Sequence, residues 1–309
     1  MELYCTFESD SEELTGIWEQ GTALFSETET PSCEQLLAEP AAFPAYVGVA
    51  LLLCGDASRV RTLLSEMGDY LTENIRGQAT LRAACTYPLA LSYYLRYTGD
   101  TAFVMNAIRK YCVTLSPYWD APETGEDFLT SAFLLGAMLA YRRVGAACGM
   151  TLPLARQARL LDSFHSRFYD PKTSRYVDEH GESGPLTAVL PAALGFVSEG
   201  SHAAIRQCLI EDGFAVPRSY RMFLYDAMAA EELIDLLYPT VLEAGRPRPV
   251  GGYAELGALR FLLDTLCGVD TEMLGRGIRC MDPALPSYVS FRLTLPSGST
   301  FLTYEGGDA

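Results

Sequence analysis

The apolar residues of this chain recur at intervals of three and four over most of its length, up to about residue 270. Clear stripes are Phe128, Ala132, Leu135 and Leu139, then Leu154, Ala158, Leu161, Phe164 and Phe168, and later Leu256, Leu259, Leu263 and Leu266. Positions at this period fall on one buried face of an α-helix. The pattern predicts about twelve helices, roughly over residues 9–24, 33–53, 57–75, 84–96, 101–115, 126–147, 152–167, 185–195, 199–211, 219–236, 238–244 and 252–267.

Glycine followed by aspartate separates neighbouring helices in this pattern. Gly55-Asp56 and Gly99-Asp100 each stand between two apolar stripes. Glycine suits the left-handed position just after a helix, and aspartate caps the free N–H groups of the helix that follows. Each pair therefore predicts the tight turn of an antiparallel helical hairpin. Repetition at about 50 residues predicts six hairpins, closed into an all-α (α/α) six-hairpin toroid, or barrel, over residues 1–275.

Two segments depart from the helical pattern. Residues 168–177 carry strand-like flanks around a proline-containing turn, which predicts a small β-hairpin. Residues 287–295 alternate polar and apolar side chains, residues 296–299 form a turn sequence, and residues 300–304 alternate again. We therefore expect a small C-terminal β-hairpin within an extension, residues 276–309, that packs on the helical barrel.

Composition and charge exclude several classes of protein. Apolar residues make up 49% and charged residues 20% of the 309 residues, which is enough for a large core. The formal net charge of −16 repels phosphate backbones and anionic lipids, so neither a nucleic-acid partner nor a membrane partner is expected. No apolar stretch is long enough to span a bilayer.

The cysteines and the N-terminal sequence predict a cytoplasmic protein. Nine cysteines, with no CxxC pair, lie mostly in apolar helical stretches, which is typical of free thiols in a reducing compartment. The first residues are acidic where a signal peptide is basic. With three histidines, no HExxH and no glycine-rich nucleotide motif, the sequence predicts neither a metal site nor a cofactor.

Four stretches together resemble a known family. They are residues 87–103, a helix, a Thr-Gly-Asp turn and a helix; residues 162–176, a phenylalanine-containing helix followed by Asp-Pro-Lys-Thr-Ser-Arg-Tyr; residues 186–196, a helix ending at Leu-Gly; and residues 286–304, the C-terminal strands. In this order they resemble the six-hairpin glycosidases, and most closely the catalytic core of bacterial α-L-rhamnosidases. The resemblance implies an inverting glycoside hydrolase with a carbohydrate or glycoside ligand.

The chain also departs from that family's pattern. The family's acidic signature, Pro-x-Cys-x-Gln-Arg followed by Glu-Arg and Trp-x-Gly-Asp, is matched only at its opening, by residues 31–35 (PSCEQ). Residues 242–249 (LEAGRPRP) stand where the family has its late catalytic glutamate. The chain is therefore either an enzyme with a rearranged site or a relative that has lost catalysis.

A cluster of candidate site residues follows Pro117. Inverting hydrolysis uses two carboxyl groups roughly 6.5–9.5 Å apart. Tyr118, Trp119 and Asp120 are predicted to lie on a loop, with Glu126 and Asp127 after them. The indole offers a flat face for a sugar, Tyr118 and Asp127 bind it, and Asp120 and Glu126 are the candidate catalytic carboxylates. Alternatively, the last two acids only complement the dipole of the next helix.

Four further residues complete the predicted site. Glu243 is a third candidate catalytic carboxylate, beside two arginines that would lower its pKa; the alternative is a surface salt bridge. Glu34 falls near the family's acidic signature, or else is a surface acid at a helix start. Tyr220 and Arg221 could line the mouth, or be a core tyrosine and a surface arginine. Residues 178–182 favour a solvated turn.

Three functions remain open from the sequence: a glycoside hydrolase acting on α-rhamnosyl or related sugars, a catalytically inactive carbohydrate-binding relative, and an unsaturated uronyl hydrolase. A hydrolase requires two carboxylates facing one pocket with an aromatic wall, whereas a binding protein needs only the wall. A uronyl hydrolase adds a basic residue for the uronate carboxylate. The sugar, the linkage and the oligomeric state are not specified by the sequence.

Overall fold

The computed structural model describes residues 5–26, 30–54, 57–75, 77–121, 127–150, 154–233, 236, 239–240, 252–263, 288–295 and 298–305. The chain is mostly helical, as the apolar period predicts. The helices are α1 (Glu12–Ser26), α2 (Cys33–Leu37), α3 (Ala42–Cys54), α4 (Ala57–Asn74), α5 (Gly77–Ala84), α6 (Tyr87–Thr98), α7 (Thr101–Asp120), α8 (Phe128–Ala147), α9 (Leu154–Phe168), α10 (Pro185–Leu194), α11 (His202–Asp212), α12 (Arg221–Ala230) and α13 (Leu256–Phe261).

Six of these helices carry much of the buried apolar surface, and we call them the core helices: α3, α6, α8, α10, α12 and α13. Every residue of α3 is buried, whereas α4 and α9 bury a single face. Each core helix packs against two others of the set: α3 against α6 and α13, α8 against α6 and α10, and α12 against α10 and α13. The helices α1, α4, α7, α9 and α11 each pack against at least one core helix and expose polar side chains.

Among the helix boundaries that differ from the prediction, two differ for a reason involving proline. The predicted helix 33–53 is two helices, because the chain turns at Glu39 and Pro40 and the residue before a proline is disfavoured in a helix. The predicted helix 101–115 instead continues through Pro117 to Asp120. Burial of Trp119 in the last turn extends the apolar stripe of α7 and outweighs the local cost of the proline.

The Gly99-Asp100 turn between α6 and α7 has the predicted geometry. Gly99 adopts a left-handed conformation (φ 67°), and its N–H donates to the carbonyl of Leu95 at 2.8 Å. Asp100 caps α7, accepting the N–H of Phe103 at 3.0 Å. The corresponding pair Gly55-Asp56 lies outside the described residues.

Replacing the capping carboxylate tests this turn. We expect Asp100→Ala to lower the free energy of unfolding by about 1 kcal/mol, because the first turn of α7 then keeps an unsatisfied N–H group. Urea denaturation followed by circular dichroism measures the change, with Asp100→Asn as a control that retains a capping oxygen. Equal stability of Asp100→Ala and wild type would contradict the assignment.

Strands β1 (Cys5–Ser9), β4 (Tyr288–Leu295) and β5 (Gly298–Glu305) form an antiparallel sheet in the order β1-β4-β5. The strand β1 was not predicted, and it delays the start of the first helix from residue 9 to residue 12. Phe7 of this strand stacks on Trp18 of α1 with ring centroids 5.5 Å apart. The short predicted hairpin is confirmed: β2 (Tyr169–Asp170) pairs with β3 (Arg175–Tyr176).

Within the described part of the chain, no helix combines the length and the apolar character that a membrane span requires.

Candidate functional site

The N-terminal ends of the core helices are linked to one another by side-chain contacts. Near the starts of α3 and α6, Phe43 stacks on Tyr87 at a centroid distance of 6.1 Å. Just before α6 and α8, Arg82 pairs with Asp127 at 3.5 Å. At the start of α8, the N–H of Phe128 donates to a carboxylate from the segment before α10, at 3.0 Å. These contacts therefore link the start of α3 to that of α6, the start of α6 to that of α8, and the start of α8 to the segment before α10.

The remaining core helices extend this series of contacts. Arg218, before α12, pairs with Glu255, before α13, at 3.3 Å. Glu39, before α3, lies so close to Gly252 that a Cβ added there would be 3.0 Å from its Oε2. Pro217 shares a cleft with the first turn of α10. All six N-terminal ends, where helix dipoles present partial positive charge, are thus connected at one end of the helical body.

The larger cleft at this end has a cavity volume of about 340 Å³. Its lining combines apolar and polar side chains with the backbone of the segment before α10: Phe128, Leu129, Asp178, Glu179, Glu182, Ser183, Gly184, Pro185, Leu186, Thr187, Ala215 and Pro217. A volume of this size lies in the range of small-molecule sites, which are typically apolar with a few convergent polar groups. We call it the acidic cleft, after its three carboxylates.

The three carboxylates of the acidic cleft differ in their surroundings. The N–H groups of Glu182 and His180 both donate to Asp178 Oδ1 at 2.9 Å, and these hydrogen bonds lower the pKa of Asp178. Glu179 Oε2 accepts the N–H of Phe128, so this carboxylate sits at the positive end of α8. Glu182 is exposed at the rim. Backbone N–H groups therefore hold two of the three carboxylates in place.

A smaller cleft lies beside the first, because Pro217 lines one and Arg218 lines the other. It has a cavity volume of about 40 Å³ and is enclosed by α1, α12 and α13. Its lining is Ile17, Gln20, Gly21, Leu24, Arg218, Arg221, Tyr225, Ala254, Glu255 and Ala258. We call it the arginine cleft, since two of its polar side chains are guanidinium groups.

A third polar feature lies between the core helices, one to two turns from their N-terminal ends. Arg260 of α13 holds Asp226 of α12 through two nitrogens, at 2.7 and 3.3 Å. The guanidinium carbon of Arg260 lies 4.8 Å from the ring centroid of Tyr93 in α6, and its Cδ approaches Gly48 in α3. The side chains of Arg260 and Asp226 are 12% and 28% exposed, so four core helices meet at a partly buried ion pair.

The prediction that Trp119 offers a flat face to a sugar is wrong. Trp119 lies in the last turn of α7, not on a loop, and is 2% exposed. Its Nε1–H donates to the carbonyl of Leu134 at 3.2 Å, and its ring packs at 5.4 Å from Tyr141. Because it closes the buried stripe of α7, this indole is part of the hydrophobic core. Tyr118, its neighbour, is half-buried against the same core.

Asp120 is also not placed as a catalytic carboxylate. It ends α7 at the surface, where Arg156 lies 2.9 Å and Arg159 3.8 Å from its oxygens. Ser116 donates a further hydrogen bond to it at 3.3 Å. Two guanidinium groups from α9 thus occupy this carboxylate, and it lies outside both clefts. The other two predicted catalytic residues, Glu126 and Glu243, lie outside the described residues.

Asp127 and Glu34 lie at helix starts, which was the alternative to sugar binding for each of them. Asp127 caps α8, accepting the N–H of Thr130 at 2.7 Å, and pairs with Arg82. Glu34 is exposed in the first turn of the short helix α2. Both carboxylates therefore complement helix N-termini.

Tyr220 and Arg221 lie at the start of α12, as predicted. Tyr220 is half-buried, with its ring 6.3 Å from that of Phe133. Arg221 lines the arginine cleft. Of the predicted binding residues, Arg221 is the one that the structure brings into a cleft.

Sequence reasoning missed the carboxylates of the acidic cleft and the ion pair between Asp226 and Arg260. Asp178 and Glu182 belong to a segment that favours a solvated turn, and only the tertiary fold brings α8 and α10 beside it. The sequence does contain a signal for this ion pair. Asp226 is the single charged residue between Met222 and Ala230, and Arg260 is the single charged residue in the apolar run 256–263. A single charged residue within an apolar helix requires a partner of opposite charge, and Asp226 and Arg260 are partners for each other.

No family model, curated protein or solved structure matches this chain. Among the described residues, no group of three or more histidine, cysteine, aspartate and glutamate side chains is arranged to hold a metal ion.

Proposed function

We propose that the helices of this chain form an (α/α) six-hairpin toroid. The support is that each core helix packs against two others of the set, so that the six pairwise contacts return to α3. The flanking helices α1, α4, α7, α9 and α11 precede five of the core helices along the chain, which is the alternation that hairpins require. The N-terminal ends of the core helices form the open end of this toroid.

We propose further that the protein binds a carbohydrate in the acidic cleft and hydrolyses a glycosidic bond there. The observation that carries this proposal is a cleft of about 340 Å³, lined by three carboxylates, at the N-terminal ends of the core helices. Carboxylates accept hydrogen bonds from sugar hydroxyls, and a pair of them performs acid–base hydrolysis. An α-rhamnosyl or related glycoside is the first substrate class to test, because the sequence resembles α-L-rhamnosidases.

Each carboxylate has a role that follows from its surroundings. Glu179, held by the N–H of Phe128 beside the N-terminus of α8, acts as the base that activates water. The exposed carboxyl of Glu182, at the rim of the cleft, acts as the acid that protonates the leaving oxygen. Asp178, with its lowered pKa, binds sugar hydroxyls or positions the turn.

Conservative substitutions test these roles. On an aryl glycoside that the wild type hydrolyses, we expect Glu179→Gln and Glu182→Gln each to lower kcat by roughly 10²–10⁴-fold. Glutamine can still accept the N–H of Phe128, so the fold is retained. The matched control is Glu73→Gln, at an exposed position of α4. Wild-type turnover in both cleft variants would exclude the acidic cleft as the hydrolytic site.

A second candidate is a carbohydrate-binding protein without turnover. It is favoured by the backbone hydrogen bonds that already engage Asp178 and Glu179, which leave one uncommitted carboxylate in the cleft. Calorimetric titration with rhamnose and with rhamnosyl disaccharides separates this candidate from the hydrolase when no aryl glycoside is cleaved. The uronyl hydrolase is less favoured, because none of the described residues lining the acidic cleft is basic.

A further inference from the structure

Arg221 is a half-buried cation whose charge no described side chain neutralises. It lines the arginine cleft on the first turn of α12. Six other arginines of the described structure have carboxylate partners, whereas some, such as Arg109 and Arg143, do not; the paired ones are Arg61, Arg82, Arg156, Arg206, Arg218 and Arg260. The chain has 39 acidic and 23 basic residues, so carboxylates are abundant. An arginine held in a cleft without one of them is therefore a site that can receive an anion from outside.

The rest of the arginine cleft is consistent with a small anion. Arg218 lies at the same cleft and is half-exposed, and its partner Glu255 neutralises one of the two positive charges. The net charge of the lining side chains therefore remains positive. The cleft wall also includes Gln20, an amide that can donate hydrogen bonds, and Tyr225, whose side chain is buried. Apolar residues of α1 and α13 complete the wall and reduce the screening of the guanidinium by water.

The size of the cleft limits what can enter it. A cavity of about 40 Å³ accommodates a group of a few heavy atoms, which is a carboxylate or a phosphate and not a sugar ring. A planar guanidinium binds either of these oxyanions through two parallel hydrogen bonds. We infer that the arginine cleft is a binding site for the carboxylate or phosphate group of an anionic small molecule, with Arg221 as its principal contact. This site is separate from the acidic cleft.

Binding of defined anions tests the inference. The probes are inorganic phosphate, glucuronate and, as a neutral sugar of matched shape, glucose, each titrated into the full-length protein by calorimetry. We expect phosphate or glucuronate to bind saturably, with an affinity that falls as sodium chloride is added, and glucose not to bind at this site. The anion that binds more tightly identifies the group as a phosphate or a carboxylate.

Charge substitutions assign the binding to the cleft. We expect Arg221→Gln to weaken anion binding by roughly tenfold or more, because a charge-assisted hydrogen bond is lost. Arg221→Lys should retain part of the affinity, and it also separates loss of charge from loss of folding, which circular dichroism monitors. Arg109→Gln, at an exposed position of α7, makes the same change of net charge elsewhere and should leave the affinity unchanged.

Two results would overturn the inference: no saturable binding of either anion to the wild type, or equal affinities of Arg221→Gln and wild type. The titration measures binding without turnover. Loss of hydrolysis in the Glu182→Gln variant and loss of anion binding in the Arg221→Gln variant are therefore independent results, and either proposal can fail while the other stands.

Discussion

Trp119→Ala is expected to lower the free energy of unfolding by about 3–5 kcal/mol, which is typical of a fully buried aromatic residue. The indole is 2% exposed, packs on Tyr141 and donates its N–H to the carbonyl of Leu134. Its removal would leave a cavity between α7 and α8 that the surrounding side chains can only partly fill. Urea denaturation followed by far-ultraviolet circular dichroism measures the loss without relying on tryptophan fluorescence.

Trp119→Phe is the matched control. It keeps an aromatic ring in the core and loses part of the volume and one hydrogen bond, so we expect a smaller loss of about 1–2 kcal/mol. If Trp119 were a sugar-binding surface residue, Trp119→Ala would leave stability unchanged and would weaken carbohydrate binding. Such an outcome would contradict the burial of this residue and restore the original prediction.

The helical nature of the chain was predictable because its signals are local. An apolar period of three to four residues and a Gly99-Asp100 turn depend only on neighbours along the sequence, and glycine in the left-handed region followed by a capping aspartate has few alternatives. The strand β1 had no such signal. It is five residues long and depends on pairing with β4, nearly three hundred residues later in the chain.

The error at Trp119 shows how one local signal can obscure another. Pro117 indicated a loop, yet Ile108, Tyr111, Leu115 and Trp119 are all buried and recur at helical spacing through the proline. The burial of that stripe against α8 contributes more free energy than the proline costs. Apolar periodicity was thus the stronger evidence at this position, and it would have placed the indole in the core.

The candidate site was much less predictable than the fold, because its residues meet only through tertiary contacts. Glu179 accepts a hydrogen bond from Phe128, fifty-one residues earlier, and nothing in either local sequence indicates that contact. Asp226 and Arg260 are separated by thirty-four residues on two helices. Sequence patterns therefore identify helices reliably, whereas the grouping of carboxylates and arginines at their ends requires the arrangement of the helices.

Asp226→Leu is expected to lower the free energy of unfolding by about 2–3 kcal/mol, because Arg260 would remain as an unpaired cation between the core helices. The figure lies below that for a fully buried pair, since the side chain of Asp226 is 28% exposed and water partly screens the charge. Urea denaturation at low and at high salt measures the effect. Wild-type stability would show that the ion pair is not formed in solution.

The double variant Asp226→Leu/Arg260→Met separates the cost of breaking the pair from its net contribution. Apolar replacement of both partners removes the unpaired charge, so we expect stability to return to within about 1 kcal/mol of wild type. Additive losses in the double variant would instead mean that each side chain stabilises the core independently, as the contact of Arg260 with Tyr93 would allow.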